Sequence, residues 1–174
     1  MAHPHRASER SRYSGATRTS RTDYAGAVYG SLLAASVVAT AGTLGQYPRL
    51  ELSILLIVTG LVFWAAHVYA RLAGERVRGS RPTPAELRRV ARHERSIVEA
   101  AVIPAVTVAV SPLLGLGLAA TAWLALGIAV IQQVVWASLG AIAAGAGRKQ
   151  VAAEGAVNLL LGLTIVAAKA ALGH

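Results

Sequence analysis

The sequence has no cysteine and little charge, and both absences narrow what the protein can be. Without cysteine the chain can form no disulfide bond, no iron–sulfur cluster and no thiol nucleophile. Charged residues make up only 14% of the 174 residues and apolar residues 55%, whereas soluble domains carry about 25% charged residues. This composition indicates an integral membrane protein.

The remaining charges are segregated, and long apolar stretches lie between them. Residues 96–147, for example, contain a single charged residue, Glu99. A membrane-spanning helix needs roughly 20 apolar residues to cross about 30 Å of hydrocarbon. The segments that meet this requirement are residues 24–44, 51–71, 97–115, 118–144 and 150–172. We therefore predict an all-α integral membrane protein whose domain, residues 24–174, is a bundle of about five transmembrane helices.

The basic residues predict how the chain is oriented in the membrane. Residues 1–23 contain no apolar stretch of the kind found in signal peptides, so we predict a disordered basic cytoplasmic tail there. All of the 17 basic residues except Arg49 and Lys169 lie in this tail, between the second and third spans, or just before the fifth. Basic residues near helix ends stay cytoplasmic. We expect a multi-pass protein of a bacterial inner membrane, with its N-terminus in the cytoplasm and its C-terminus outside.

The excess of positive charge also bears on partners. The arginine-rich cytoplasmic loop, residues 72–96, is expected to attract anionic lipids of the inner leaflet. No aromatic-rich platform accompanies these arginines, so no nucleic acid partner is expected. Within the loop, the sequence "TPAE" (residues 83–86) is a capping box with Pro84 at the first helical position. It predicts a short amphipathic helix that leads into the third span, which Pro104 should bend.

Polar side chains inside the spans are the candidate functional residues, because hydrocarbon disfavours them. His67 and Glu99 lie at a similar depth near the cytoplasmic boundary, and we predict that they contact each other. Gln132 and Gln133 lie near the middle of the fourth span, where amides commonly hold helices together. These positions allow either helix packing or a site for a solute.

The fifth span carries a polar stripe. At about 100° per residue, one face contains Glu154, Asn158, Ile165 and Lys169. This face either lines water or has charged ends that reach the two membrane surfaces. No segment resembles a nucleophile beside a base, a phosphate-binding loop or a cluster of metal ligands. We therefore expect no enzymatic activity, no cofactor and no metal site.

The first span has two contrasting faces. One contains Gly26 and Gly30, a Gly-x-x-x-Gly pair that permits close helix packing. The opposite face consists of small or weakly polar residues: Ser31, Ala35, Val38 and Gly42. If the protein forms a pore, we predict that this second face lines it, with Val38 as an apolar gate. The alternative is that both faces pack against other helices.

The stretch "LLIVTGLVFWAAHVYARLAG", residues 55–74, resembles the second helix of the endolysosomal potassium channel family (transmembrane protein 175 type) and its bacterial relatives. In that family an apolar span ends in a Trp-x-x-His pattern followed by an arginine, and here Trp64 and His67 form the pattern. Where the family has a Phe-Ser-Asp motif, this chain has Tyr24, Ala25 and Gly26.

The resemblance implies an ion channel or leak pathway for monovalent cations such as potassium, formed by a homo-oligomer. It also implies that His67 helps to hold the cytoplasmic ends of the first helices together. The first alternative is a transporter of ions or small solutes, with a site formed by Gln132, Glu154 and Asn158. The second alternative is a non-conducting scaffold whose arginine-rich loop recruits lipid or a partner.

Overall fold

The protein is an all-helical membrane bundle. A computed structural model describes residues 24–41, 48–74 and 83–172, and these residues contain no strand. The helices are α1 (Tyr24–Ala41), α2 (Arg49–Gly74), α3 (Pro84–His93), α4 (Ser96–Val110, continued by a 3₁₀ turn over Ser111–Leu114), α5 (Leu118–Ala143) and α6 (Arg148–Leu172). Five of these helices, all except α3, are long and apolar enough to cross a membrane. The predicted five-span bundle is confirmed; the predicted tail, residues 1–23, lies outside the described residues.

Two glycines with positive φ end α4 and α5 and reverse the chain. Gly115 has φ 65° and Gly145 has φ 75°, a backbone conformation that residues with a Cβ rarely adopt. The N–H of the following residue returns to a carbonyl five positions earlier, over 3.3 Å after Gly115 and 3.0 Å after Gly145. These Schellman motifs pair carbonyls at the helix ends that would otherwise lack a partner.

Contacts between helix ends define two ends of the bundle. At one end, the ring of Tyr24 in α1 lies 6.0 Å from that of Trp136 in α5. This end contains the starts of α1, α4 and α6, the ends of α2 and α5, and α3. We call it the basic end, because every described lysine and arginine except Arg49 and Lys169 lies there. The charge segregation is therefore present in the fold, and placement of the basic end in the cytoplasm stays a prediction.

The two exceptions to this segregation are both held by other helices at the opposite end. Arg49 donates from Nε to the hydroxyl of Ser111 over 3.0 Å, and its guanidinium also donates to the carbonyl of Leu116. Lys169 is buried; its Nζ donates to the carbonyl of Ala39 over 3.3 Å and lies 5.5 Å from the centre of the Trp123 ring. Both cations therefore fasten helix ends to one another.

The short helix α3 lies at the basic end and docks on α2. Its capping box is present: the Glu86 N–H donates to Thr83 Oγ1 over 3.2 Å, and the Thr83 N–H donates to the Glu86 carboxylate. Val90 is buried against Val68 and Leu72 of α2, while the arginines of α3 are exposed. The predicted capping box and the predicted amphipathic helix are both confirmed.

Helix α1 packs closely on α4 through its glycine face. A Cβ added at Gly30 would lie 2.6 Å from the carbonyl oxygen of Ile97 and 2.9 Å from Cβ of Ala100. Gly26 comes equally close to Ser96, whose Oγ would lie 2.5 Å from an added Cβ. The close packing predicted from the Gly-x-x-x-Gly pair is confirmed.

The face of α1 predicted to line a pore is buried within the same chain. Ser31, Ala35 and Val38 have no exposed surface, and Ala35 and Val38 belong to the apolar core together with Val108 and Leu126. The alternative expectation, that both faces of α1 pack, therefore describes this structure, in which water does not reach these side chains. Gly42 lies outside the described residues.

The contact at Gly30 gives a testable prediction. Gly30→Ala should lower the free energy of unfolding by about 1–3 kcal/mol, because the new methyl group overlaps the α4 backbone. Gly127→Ala in α5 is the matched control, since an added Cβ there meets nothing within 4 Å. The control should be neutral or stabilising by up to ~1 kcal/mol. Denaturant unfolding in detergent micelles measures both; equal effects of the two substitutions would contradict the close approach.

Candidate functional site

Three buried amide side chains lie near the middle of α5 and α6. Gln132 and Gln133 belong to α5 and Asn158 to α6; the exposed fractions are 8%, 0% and 8%. Successive residues of a helix point about 100° apart, so the two glutamines face different neighbours. Gln132 faces α4 and Gln133 faces α6. We call these three side chains the polar layer.

Gln132 repairs a gap in the hydrogen bonding of α4. The carbonyl of Ala100 would ordinarily accept a bond from the N–H at position 104, but Pro104 has no N–H. The Gln132 amide donates from Nε2 to this carbonyl over 3.0 Å. In hydrocarbon no water is available to bond an unpaired carbonyl, so another part of the protein must supply the hydrogen-bond donor. Gln132 therefore makes the proline tolerable and joins α5 to α4.

The second proline of this region is handled in the same way. Pro112 removes the ordinary partner of the Val108 carbonyl, four residues earlier. Ser111, which is fully buried, donates from Oγ to that carbonyl over 2.8 Å. Both carbonyls freed by these prolines thus receive a hydrogen bond from a side-chain donor.

Gln133 and Asn158 join α5 to α6. The Gln133 amide donates from Nε2 to Oδ1 of Asn158 over 3.2 Å and lies 3.3 Å from its main-chain oxygen. Asn158 in turn donates from Nδ2 to the main-chain oxygen of Glu154 over 2.9 Å. Both glutamines therefore make the interhelical hydrogen bonds that the packing alternative expected, and the alternative of a solute site stays a prediction. Of the polar stripe on α6, Asn158 and Lys169 are buried and bond to neighbouring helices, whereas Glu154 is exposed.

Two oxygens of the polar layer have no partner. Oε1 of Gln132 and Oε1 of Gln133 are buried and accept no hydrogen bond within the described part of the chain. A buried polar atom left unpaired costs about 1–3 kcal/mol. Amide oxygens accept hydrogen bonds and ligate cations. The layer therefore contains two unpaired acceptor oxygens that the interhelical hydrogen bonds do not use.

Trp64 and His67, the residues that carry the family resemblance, contact different helices. The indole Nε1 of Trp64 donates to the carbonyl of Ala91 over 2.9 Å, near the end of α3, where backbone carbonyls lack partners within the helix. The His67 ring lies 4.9 Å from the ring of Tyr29 in α1, and its Nδ1 is 3.0 Å from the carbonyl of Phe63. Trp64 thus holds α3 on α2, and His67 packs α2 against α1.

The predicted contact between His67 and Glu99 is wrong. Glu99 is exposed and pairs with Arg95 over 3.2 Å, one helical turn earlier. The buried acid at this end is Glu94, which caps the end of α3 and accepts from the guanidinium of Arg71. The turn between α3 and α4 places Glu94 inwards, whereas Glu99 points outwards. An acid that ends an amphipathic helix opposite an arginine was the signal in the sequence for this pair.

Comparison of the chain with protein family models, with curated proteins and with solved structures gave no match. Membership of the potassium channel family therefore stays a prediction carried by Trp64 and His67. Among the described residues no three His, Asp or Glu side chains come together as metal ligands. The polar layer is accordingly the candidate site, with neutral oxygen donors.

Because Gln132 bonds to the carbonyl that Pro104 frees, substitutions of these two residues should have non-additive effects on stability. Gln132→Leu should lower the free energy of unfolding by about 1–3 kcal/mol, because the Ala100 carbonyl then lacks a donor. In a Pro104→Ala background the same substitution should cost clearly less, since alanine restores the backbone N–H at position 104. A double-mutant cycle of unfolding in detergent measures this coupling. Strict additivity would show that Gln132 does not act on the carbonyl that the proline frees.

The Trp64 bond predicts the docking of α3. Trp64→Phe keeps the aromatic ring but removes the donor to Ala91, which is worth ~1 kcal/mol. Amide hydrogen exchange over residues 84–93 should then be about fivefold faster, as that free energy implies. Trp136→Phe is the matched control, because the ring of Trp136 in α5 packs on Tyr24 of α1. Equal exchange in both variants would contradict a role of the indole N–H.

Proposed function

We propose that the protein transports a monovalent cation across the membrane and that the polar layer binds the cation midway. The observation that carries the proposal is the pair of buried, unpaired oxygens on Gln132 and Gln133. Polar groups placed within a membrane domain commonly mark ion or substrate pathways. The bundle itself, a multi-pass membrane protein with five spanning helices, is consistent with such a role.

The donor set favours a weakly hydrated monovalent cation. The Oε1 atoms of Gln132 and Gln133 are neutral, and so is the Asn158 Oδ1 to which Gln133 is bonded. A divalent ion would need carboxylates to offset the loss of its hydration, whereas neutral oxygens suffice to replace the hydration shell of potassium. Glu154 is exposed and lies one helical turn from Asn158, where its charge would attract cations towards the layer.

The interrupted hydrogen bonding of α4 lies beside this layer. Transporters commonly place their sites near the bilayer midplane, where a helix is discontinuous and its backbone oxygens are available. Here Pro104 frees the carbonyl of Ala100, which is currently held by Gln132. A cation that binds both the Gln132 amide oxygen and the Ala100 carbonyl oxygen would break the hydrogen bond between these two residues and replace it with two cation–oxygen contacts.

The packing of α1 favours a transporter over a permanently open channel. Ser31, Ala35 and Val38 are buried, so the face of α1 that was predicted to line a pore is closed in this conformation. A closed bundle around a buried polar layer is compatible with an occluded transporter. The exposed apolar side chains of α6 face lipid or a second copy of the chain, and a homo-oligomeric channel, as the family resemblance implies, is the alternative.

Cation flux tests the proposal. The purified full chain in liposomes should carry potassium down its gradient, and Gln133→Leu and Asn158→Leu should each reduce the rate at least about tenfold, as ~1.4 kcal/mol of lost stabilisation implies. Thr164→Val is the matched control on α6, because this exposed hydroxyl donates to the carbonyl of Leu160 within its own helix. Its flux should equal that of the wild type.

The outcomes separate the candidate functions. Saturable, slow flux that the two variants abolish supports the transporter, and channel-like currents that they leave unchanged would place the pathway elsewhere. A wild-type protein that folds but carries neither potassium, sodium nor protons would overturn the proposal in favour of a scaffold. Thermal unfolding of each variant in detergent distinguishes loss of transport from loss of the fold.

A further inference from the structure

An open groove runs between α5 and α6 at the basic end of the bundle. It has a volume of about 360 Å³. Its walls are mainly apolar or small, with Ile142 and Ser138 on α5 and Val151, Ala152 and Gly155 on α6. Because Ile142 and Ala152 are exposed, the groove opens on the outer surface of the bundle. None of its lining residues belongs to the polar layer or to α3.

Small residues create the groove. Gly155 lies against Ser138, whose Oγ would be only 3.2 Å from an added Cβ, so the two helices touch there. Ala152 and Ala146 leave the space below this contact unfilled. From Arg148 to Gly155 the groove follows seven residues of α6, about 10 Å at 1.5 Å per residue. That length reaches well into one leaflet, whose hydrocarbon is about 15 Å deep.

A positively charged side chain lies at the basic end of the groove. Arg148, the first residue of α6, lines it and is exposed, and Lys149 follows. Neither side chain makes a hydrogen bond or an ion pair within the described ranges, unlike Arg71, Arg95 and Arg49. In a membrane this position is at the level of the lipid headgroups. The groove is apolar along its length and ends at an unpaired guanidinium. An anionic lipid has the complementary chemistry, with an acyl chain for the groove and a negative headgroup for the arginine.

We propose that the groove between α5 and α6 binds an anionic phospholipid, with its phosphate at Arg148 and Lys149 and one acyl chain along Ile142, Val151 and Ala152. Basic pockets between transmembrane helices on the cytoplasmic side are a recognised way to bind such headgroups. The site differs from general attraction of lipid to the arginine-rich loop, because it combines charge with a groove. It is independent of the proposed cation transport.

Retention of phosphatidylglycerol by the purified full chain tests the site. Native mass spectrometry after incubation with phosphatidylglycerol or phosphatidylcholine should show preferential retention of the anionic lipid. Arg148→Ala should reduce this preference ~5-fold, since one basic residue at a membrane surface is worth about 1 kcal/mol. Ala152→Trp should reduce it at least as much by filling the groove with no change of charge.

Two matched controls isolate the groove. Arg88→Ala removes the same charge from α3, and Ala153→Trp adds the same bulk to an exposed position of α6 outside the groove. Both should retain the lipid within twofold of the wild type. Equal losses in Arg148→Ala and Arg88→Ala, or full retention in Ala152→Trp, would overturn the proposal. A change of oligomeric state in Ala152→Trp without loss of lipid would also overturn it, because the groove would then hold a second copy.

Discussion

The bond from the Gln132 amide to the carbonyl of Ala100 is the interaction on which the centre of this bundle depends. A spanning helix must satisfy every backbone polar group internally or through a protein neighbour, because the hydrocarbon offers no water. Pro104 breaks that rule within α4, and α5 restores it. The register of α5 against α4 is thereby fixed, since the amide reaches this carbonyl at one axial position. With α5 in place, Gln133 is turned towards α6 and meets Asn158.

Close backbone approach holds the other half of the bundle. Gly30 brings α1 against the backbone of α4. Gly60 brings α2 against α4 as well, because a Cβ added at Gly60 would lie 3.0 Å from the Cβ of Ala101. Lipid tails are as apolar as leucine, so helices in a membrane gain stability through such close packing and interhelical hydrogen bonds. Helix α4 is thus the element that α1, α2 and α5 share, which explains why both its surface and its proline need specific partners.

The sequence was sufficient for the features that depend on local pattern. Apolar length predicted the five spans, the Thr83–Glu86 capping box predicted α3, and Gly26 and Gly30 predicted close packing. Features that depend on which helices pack against each other could not be predicted from local sequence pattern. Small residues such as Ser31 and Ala35 are equally suited to a pore and to a tight core, and only the assembled neighbours decide between them. The contact between His67 and Glu99 was predicted from their similar depth in the membrane. Their actual neighbours, Tyr29 and Arg95, depend on the direction in which each side chain leaves its helix axis.

The partnership of Pro104 with Gln132 also constrains how the protein is made. The two bonded residues, Ala100 and Gln132, are 32 positions apart, so the ribosome completes α4 before the donor exists. If α4 entered the lipid alone, the Ala100 carbonyl would face hydrocarbon without a donor, a cost of several kcal/mol. Insertion of α4 and α5 together as a hairpin avoids this cost, and the short reversal at Gly115 places the two helices side by side. The proline thus favours a helical pair as the unit of insertion.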